Sequence, residues 1–129
     1  MTRFANPETM PRPASSYSQI AETVGPGRRL VLSGQIGVMP GGAVCSGYRA
    51  QAEQAWRNVI AGLEAADMSV RDITAIRVYD VAPGEVALYR EIRDRMLAGH
   101  APASTYVIVA GLASQAFLTE IEVEAFSAS

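Results

Sequence analysis

The chain has 129 residues, of which 49% are apolar, and its formal net charge is −2. This size fits one domain spanning residues 1–129, the composition excludes a disordered chain, and the acidic balance disfavours nucleic acid, because phosphate binding needs a basic face. A single cysteine, Cys45, excludes an internal disulfide and favours a reducing compartment, and no apolar run approaches the roughly 20 residues of a membrane span. We therefore expect a cytoplasmic protein that does not enter a membrane.

The first third of the chain is predicted to hold turns and two strands. Three prolines before residue 16 favour extended or coiled backbone, because proline fixes φ and removes a backbone donor. Residues 17–21 predict a short strand and residues 29–36 predict a longer one. The run at residues 30–32 is apolar on both faces, as in a strand that is covered on both sides. Gly34 indicates a bulge, or the close approach of a ligand or another backbone.

Apolar residues spaced three and four apart predict a first helix that lies on a sheet. These residues are Ala52, Ala55, Trp56, Val59, Ile60, Leu63 and Ala66. We expect Trp56 to anchor this helix in the core. Gln51 and Gln54 occupy positions outside the apolar stripe.

A strand, a second helix and two further strands are predicted to follow. β-Branched and aromatic residues favour a strand over residues 73–81. Pro83 suits the first position of a helix, where its missing N–H is not needed, and Gly99 suits the C-terminal cap. Residues 103–110 and 117–126 then predict the last two strands.

Glutamates recur at every second position of the last predicted strand. Glu120, Glu122 and Glu124 therefore point from one face, while Ile121 and Val123 point from the other. Like charges on one face repel one another, so this face needs water or a partner. A solvated sheet face is the commoner reason for such a pattern. The alternative is that one carboxylate lines a site.

The order of the predicted elements indicates the α+β class, with two helices packed on one face of a mixed sheet. The row of glutamates would then lie on the face that the helices leave open. A small sheet whose second face is not covered by its own chain often finds its cover in another subunit. We therefore expect the protein to form an oligomer.

Short motifs along nearly the whole chain occur in the order and spacing of the Rid proteins. They are Tyr17-Ser18-Gln19, Ser33-Gly34-Gln35-Ile36, the helix from Gln51-Ala52 to Asn58, Val78-Tyr79, Pro102-Ala103-Ser104-Thr105 and Glu120-Ile121-Glu122. The chain thus resembles this family of reactive-intermediate (enamine/imine) deaminases, also called the YjgF family. The resemblance implies a chorismate-mutase-like α+β fold and a homotrimer whose sheets face inward, with ligand pockets in the clefts between subunits. It also implies hydrolysis of small imines to a 2-oxo acid and ammonia, with no metal and no cofactor.

The same resemblance assigns three of the candidate site residues. Tyr17 matches a pocket tyrosine, Gly34 matches a glycine whose backbone faces the ligand, and Glu120 matches the glutamate that handles the attacking water. Glu120 and Tyr17 are therefore the catalytic candidates. The substrate-binding candidates are Ser33, Gly34, Ser104, Thr105 and Tyr106.

The chain departs from the family at Ser104. The family carries an arginine here, in a Pro-x-Arg-Ser/Thr motif, and this arginine clamps the substrate carboxylate through charge-assisted hydrogen bonds. Either the substrate lacks that carboxylate or the imine activity has been lost. Four other arginines are candidates to reach the pocket, and the sequence does not place them. They are Arg28, Arg49, Arg90 and Arg93.

Two functions stay open on these grounds. The first is hydrolysis of a small imine or enamine other than the usual 2-imino acid, with Glu120 as general base and Tyr17 orienting substrate or water. The second is a non-catalytic homotrimer that binds a metabolite or regulates a partner. Ribonuclease activity, which has been attached to family relatives, is disfavoured by the acidic balance and the glutamate-lined face, because both repel phosphates.

Overall fold

The computed structural model describes all 129 residues and contains a four-stranded sheet, a separate two-stranded ribbon and two long helices. The strands are β1 (Thr2–Ala5), β2 (Ile20–Thr23), β3 (Arg28–Ile36), β4 (Ile73–Asp80), β5 (Ala103–Ile108) and β6 (Thr119–Ser127), and the helices are α1 (Tyr48–Ala65) and α2 (Val86–Leu97). Neither helix combines the length and the hydropathy that crossing a bilayer requires.

The larger sheet is mixed and has the strand order β3-β6-β4-β5. β6 runs antiparallel to both of its neighbours, whereas β5 runs parallel to β4. A parallel pair needs a crossover, and α2 supplies it between these two strands. Residues of both helices share one core against the same side of the sheet. The predicted α+β class, with two helices on one face of a mixed sheet, is therefore confirmed.

The core lies between the two helices and the sheet. Trp56 of α1 is fully buried in it, as its spacing predicted, together with Ile76 of β4 and Ile121 of β6. Burying such large apolar side chains stabilises the fold by about 1.5–3 kcal/mol each. Along β6 the apolar residues point into this core, so that the glutamates between them point to the opposite face.

α1 differs from its predicted pattern at two glutamines. Gln51 and Gln54 lie outside the apolar stripe, yet both are buried. The side-chain amide of Gln51 donates to the carbonyls of Cys45 (3.0 Å) and Ala116 (2.9 Å), and its oxygen accepts from the backbone N–H of Leu118 (2.8 Å). A buried polar group is stable when it is satisfied in this way. Helical spacing could not show these bonds, because the partners come from loops distant in sequence.

The second helix begins and ends differently from the prediction. Pro83 does not occupy its first position, and α2 begins three residues later, at Val86. Gly84 lies between them with φ of +98°, a left-handed conformation that a right-handed helix cannot contain. At the other end, Ala98 takes the left-handed cap position and Gly99 follows it.

The N-terminal segment is more regular than its prolines suggest. β1 pairs with β2 in an antiparallel ribbon, from Thr2 opposite Thr23 to Ala5 opposite Ile20. The strand predicted at residues 17–21 therefore begins later, at Ile20. Local composition did not reveal β1, because its backbone is satisfied by a partner strand that is distant in sequence.

The second face of the large sheet is left uncovered by the chain, and we name it the open face. Val31 of β3 and Val107 of β5 lie on it and are 58% and 39% exposed. Val31 stands directly opposite Glu124 in the ladder, so the two side chains share this face. The expectation that β3 is covered on both sides is therefore wrong for the single chain.

Candidate functional site

A cavity of about 250 Å³ lies where β5, α2 and the N-terminal segment meet, and we name it the helix-side pocket. Its lining consists of Ser15, Tyr17, Val86, Tyr89, Arg90, Arg93, Ser104 and Tyr106. Three of the residues selected from the sequence, Tyr17, Ser104 and Tyr106, are thus brought together. A cavity of this size fits a small metabolite.

The N-terminal segment reaches this pocket because it is tied to the chain just before β5. The backbone N–H of Ser18 donates to the carbonyl of Pro102 (2.9 Å), and its hydroxyl donates to the carbonyl of Ala101 (2.5 Å). These bonds hold Tyr17 beside the strand. Side chains two residues apart share one face of a strand, so every second side chain of β5 turns toward the pocket.

A fully buried carboxylate, Asp80, lies behind the pocket at the end of β4. One of its oxygens accepts hydrogen bonds from the hydroxyls of Tyr48 (2.7 Å) and Tyr106 (2.5 Å). Burial, and then the neighbouring Asp80 carboxylate, raise the pKa of both tyrosines above their ordinary value of 10.0. Tyr106 therefore stays protonated, and because Asp80 engages its hydroxyl, it presents mainly its ring to the pocket.

Two of the four arginines left open by the sequence line the helix-side pocket. Arg93 is only 3% exposed, and its guanidinium lies 5.9 Å from the centre of the Tyr89 ring. Arg90 is half-buried and forms no ion pair. Arg28 instead donates to two backbone carbonyls, and Arg49 lies 3.7 Å from a glutamate of α2. The pocket therefore contains arginines although position 104 is a serine.

On the open face, Glu120 of β6 lies over Gly34 of β3. A Cβ atom at Gly34 would come within 2.0 Å of the Glu120 carboxylate, so only glycine leaves room for this side chain. The ladder between β3 and β6 also shifts register between Leu32 and Gln35, which marks a β-bulge. The bulge predicted at Gly34 is confirmed, and the group that approaches this glycine is a side chain of the same chain.

The three glutamates of the open face differ in their partners. Glu124 accepts hydrogen bonds from Arg29 and from Arg77 (2.8 Å for the second), and these bonds lower the pKa of its carboxyl. Glu122 accepts from a tyrosine hydroxyl of β4 at 3.0 Å. The repulsion expected within the row is thus relieved by neighbouring strands. The Glu120 carboxylate forms no hydrogen bond or ion pair within the chain.

The residues selected from the sequence fall into two groups. Tyr17, Ser104 and Tyr106 line the helix-side pocket, whereas Ser33, Gly34, Thr105 and Glu120 do not. Thr105 follows Ser104 directly in β5, so the two side chains point to opposite faces. This separation was readable from the strand pattern alone. A single chain does not bring Glu120 to the pocket that holds Tyr17.

The sequence analysis did not select Asp80. Ile76, Val78 and Asp80 alternate along β4, so this carboxylate occupies a position that faces the core. A charged residue at an inward position of an apolar strand was the signal that could have found it. No three histidine, cysteine or acidic side chains converge in the structure to hold a metal ion.

Comparisons with known proteins agree over nearly the whole chain. A sequence model of the family described as endoribonuclease L-PSP matches residues 7–127. The chain is similar to YyfB from Yersinia pestis, described as a protein of unknown function of the conserved Rid family, with 30% identity, a TM-score of 0.85 and coverage of 96% of this chain and 97% of that one. It is also similar to RidA from the Antarctic bacterium Psychrobacter, with 29% identity, a TM-score of 0.75 and coverage of 97% and 99%.

A third solved structure, Mmf1 from yeast, shares 26% identity with a TM-score of 0.72 and coverage of 97% of this chain and 98% of that one. A search among curated proteins found no match. The likeness to these structures extends through both helices and the sheet, since almost no part of either chain is left uncovered.

Proposed function

The chain belongs to the L-PSP family, also known as the YjgF or Rid family, and we propose that it hydrolyses a small imine or enamine to a carbonyl compound and ammonia. The observation that carries this proposal is the Glu120 carboxylate, which lies over Gly34 and has no partner within the chain. Such a carboxylate is available to take a proton from water. The proposal needs no metal or cofactor and sets the reaction in the cytoplasm, where Cys45 stays a free thiol.

In the proposed mechanism, water attacks the carbon of a protonated imine and a C–O bond forms. Glu120 accepts a proton of that water as general base, an effect worth about 10²–10⁴-fold in rate. It then returns the proton to nitrogen, and as the C–N bond breaks and ammonia leaves, Glu120 accepts the proton of the new hydroxyl, so that the carbonyl forms; this proton finally passes to ammonia. An enamine enters the same path after protonation on carbon. Tyr17 orients the substrate or the water.

The proposal places the reaction in a cleft between subunits of a homotrimer. Within one chain, Tyr17 and Ser104 line the helix-side pocket, whereas Glu120 lies on the open face. A neighbouring subunit that covers the open face would complete the site with its own residues. Val31, which is 58% exposed, gives that face an apolar contact for such a neighbour. A monomeric mass in light scattering would contradict this assembly.

The proposed substrate differs from the usual 2-imino acid of the family. Ser104 and Thr105 offer neutral hydroxyls where the family arginine would offer a charged fork, and a hydroxyl cannot replace two charge-assisted hydrogen bonds. The backbone around Ser33 and Gly34 and the ring of Tyr106 complete the proposed binding groups. If position 104 is the only place where a substrate carboxylate is recognised, we therefore expect 2-imino acids to be poor substrates.

The same substitution favours one alternative function. A homotrimer without catalytic activity, which binds a small metabolite or regulates a partner, needs neither the arginine nor a general base. The two functions differ in the role of Glu120, because only the hydrolase requires its carboxylate for turnover.

The test is imine hydrolysis by the purified protein. An amino-acid oxidase generates imines in situ from a panel of amino acids, an amine oxidase generates them from simple amines, and semicarbazide competes for both. Glu120→Gln is expected to slow the hydrolysis by about 100-fold or more, because it removes the base. Glu122→Gln is the matched control, since Glu122 shares the open face but is engaged by the Tyr79 hydroxyl, and its rate is expected to stay close to that of the natural protein.

Unchanged turnover in Glu120→Gln would show that the assigned base is wrong. If a protein confirmed as a trimer accelerates hydrolysis of no imine in the panel, the non-catalytic alternative becomes the better reading.

The ribonuclease activity named in the family description is not part of this proposal. The chain carries a net charge of −2, and its open face presents the unpaired Glu120 carboxylate, both of which disfavour phosphate binding. The pure protein is expected neither to cleave nor to bind single-stranded RNA. Salt-sensitive RNA binding would revive that activity.

A further inference from the structure

α2 buries an arginine whose hydrogen-bonding capacity is only partly used by the chain. Arg93 is 3% exposed, and its Nε–H donates to the carboxylate of the adjacent Asp94 at 3.0 Å. One terminal amino group, Nη2, is buried and has no hydrogen-bond partner. An unpaired buried donor on a charged group destabilises a fold. Because Arg93 lines the helix-side pocket, an acceptor from outside the chain can satisfy this group.

The same helix carries a second unused donor. The hydroxyl of Tyr89 is buried and has no hydrogen-bond partner, and its ring lies 5.9 Å from the guanidinium of Arg93. Burial raises the pKa of Tyr89, so the hydroxyl keeps its proton and remains able to donate. Both residues line the helix-side pocket of about 250 Å³.

The charges that line this pocket are positive. Arg90 is a second arginine of the lining, and no carboxylate belongs to it. Asp80 lies behind the pocket and forms no ion pair with Arg93; two tyrosine hydroxyls bind one of its oxygens, and its other oxygen is buried without a partner. The Asp94 side chain is 48% exposed, so water screens its charge. The chain thus balances the Arg93 charge only through this screened carboxylate, and the Nη2 amino group has no acceptor within the chain.

We infer that the helix-side pocket binds a small organic carboxylate, with Arg93 and Tyr89 donating to its oxygens and Arg90 adding positive charge. A carboxylate is planar and accepts hydrogen bonds from a guanidinium in matching geometry. The rings of Tyr89 and Tyr106 give the pocket flat walls that suit such a ligand.

If the carboxylate belongs to the imine substrate, this inference rests on the proposed function. The acid group is then recognised from α2 instead of from position 104. It therefore need not lie next to the imine carbon, as it does in a 2-imino acid.

Isothermal titration calorimetry of the intact protein tests the inference with two matched pairs of probes, benzoate against benzamide and pyruvate against pyruvamide. We expect the carboxylates to bind and the amides not to bind. Arg93→Met is expected to weaken carboxylate binding by about tenfold or more. The matched control is Arg95→Met, because Arg95 lies on the same helix, is 55% exposed and pairs with Glu53. Carboxylate binding by this variant is expected to be unchanged.

Thermal unfolding adds an independent readout. Arg93→Met replaces a buried charge, whose only ion-pair partner is the half-exposed Asp94, with an apolar side chain, so its Tm is expected to stay close to or exceed that of the natural protein. If this variant does not fold, Ser104→Asp takes its place. A carboxylate at position 104 is expected to pair with Arg93, raise the Tm and block benzoate binding. A lower Tm with benzoate binding intact would contradict the inference.

Three results would overturn the inference: amides that bind as well as carboxylates, inorganic phosphate that binds more tightly than either carboxylate, or Arg93→Met that binds like the natural protein.

Glu120→Gln separates this inference from the proposed function, because it should lose turnover and keep carboxylate binding. Carboxylate binding that depends on Arg93, without turnover of any imine, would overturn only the proposed function. Turnover that depends on Glu120, without carboxylate binding, would overturn only this inference.

Discussion

The helix-side pocket and the open face lie on opposite sides of one sheet, and the chain completes only the first of them. α2 and the N-terminal segment close the pocket, and Asp80 holds the hydroxyl of Tyr106 in place behind it. On the open face, arginines pair with Glu124 and a tyrosine hydroxyl donates to Glu122, while Glu120 has no partner and Val31 is 58% exposed. One side therefore has its recognition groups fixed by internal packing, whereas the chemistry proposed for the other side depends on what covers it.

This contrast follows from the alternation of side chains along the strands. Ile121 and Val123 of β6 are buried under the helices, and the glutamates between them must face the other way. The chain places its apolar residues where it has helices to cover them. It leaves charged residues where it has none, so a second function for that face, in assembly or catalysis, is compatible with the fold.

The largest expected difference between the two sides is in stability. Trp56→Ala, under the helices, is expected to lower the free energy of unfolding by about 3–5 kcal/mol, because it opens a cavity in a closed core. Val31→Ala, on the open face, is expected to lower it by less than about 1 kcal/mol at low protein concentration. Urea titrations followed by circular dichroism measure both. A loss at Val31 as large as that at Trp56 would show that the open face is packed within the folding unit.

A smaller effect is expected from filling the space beneath the Glu120 carboxylate. Gly34→Ala would place a Cβ atom 2.0 Å from that carboxylate, which must move away. Because the displaced group is the free end of a flexible side chain, we expect a loss of less than about 1 kcal/mol in unfolding free energy, but a fall of about 100-fold in imine turnover. Gly41→Ala is the control, since no atom lies within 4 Å of its Cβ position. Turnover at the natural rate in Gly34→Ala would show that the reaction does not depend on the position of the Glu120 carboxylate.

The smallest expected effects are on pH dependence. Both sides lose stability at alkaline pH, since the hydrogen bond to Glu122 raises the pKa of Tyr79 on the open face, and the open face also loses stability at acid pH. Burial raises the pKa of Tyr48, Tyr89 and Tyr106 above the ordinary 10.0, so their contribution to stability is complete below pH 10 and is lost above it, as the unfolded chain ionises. The hydrogen bonds from Arg29 and Arg77 lower the pKa of Glu124 below the ordinary 4.5. Its contribution is complete above that pH and is lost as the pH falls through the lower, folded-state pKa.

Chemical unfolding across the pH range checks both signs. Glu124→Gln is expected to flatten the acid limb of the stability curve and leave the alkaline limb unchanged. Tyr106→Phe is expected to reduce the alkaline loss only. A change in the acid limb of Tyr106→Phe would show that the two sides are electrostatically coupled through the sheet.

Much of the fold was predictable because the signals are local. The spacing around Trp56 predicted α1, and the alternation around Glu120 predicted which face of β6 is polar. The burial of Gln51 was not predicted, because its amide binds loops that are distant in sequence and that helical spacing does not indicate. Pro83 was misplaced because the left-handed Gly84 after it excludes a helix at that point.

Part of the candidate site was also predictable from local signals in the sequence. The motifs selected Glu120, Tyr17 and Ser104 from the sequence. Strand alternation was sufficient to separate Ser104 from its neighbour Thr105. The buried Asp80 had a readable signal as well, since it continues the inward positions of β4.

The sequence by itself determined the class of fold, the two faces of the sheet and the absence of the family arginine at position 104, because periodicity and residue identity are properties of the local chain. Only the tertiary structure decided which arginine enters the pocket and which glutamate stays unpaired. Arg93 lies on the buried side of α2, where the ring of Tyr89 contacts that of Tyr106 in β5. Glu120 stays free because the register places it opposite Tyr79, whereas Arg29 and Arg77 reach Glu124. Such pairings depend on distances between elements far apart in sequence, which no local pattern encodes.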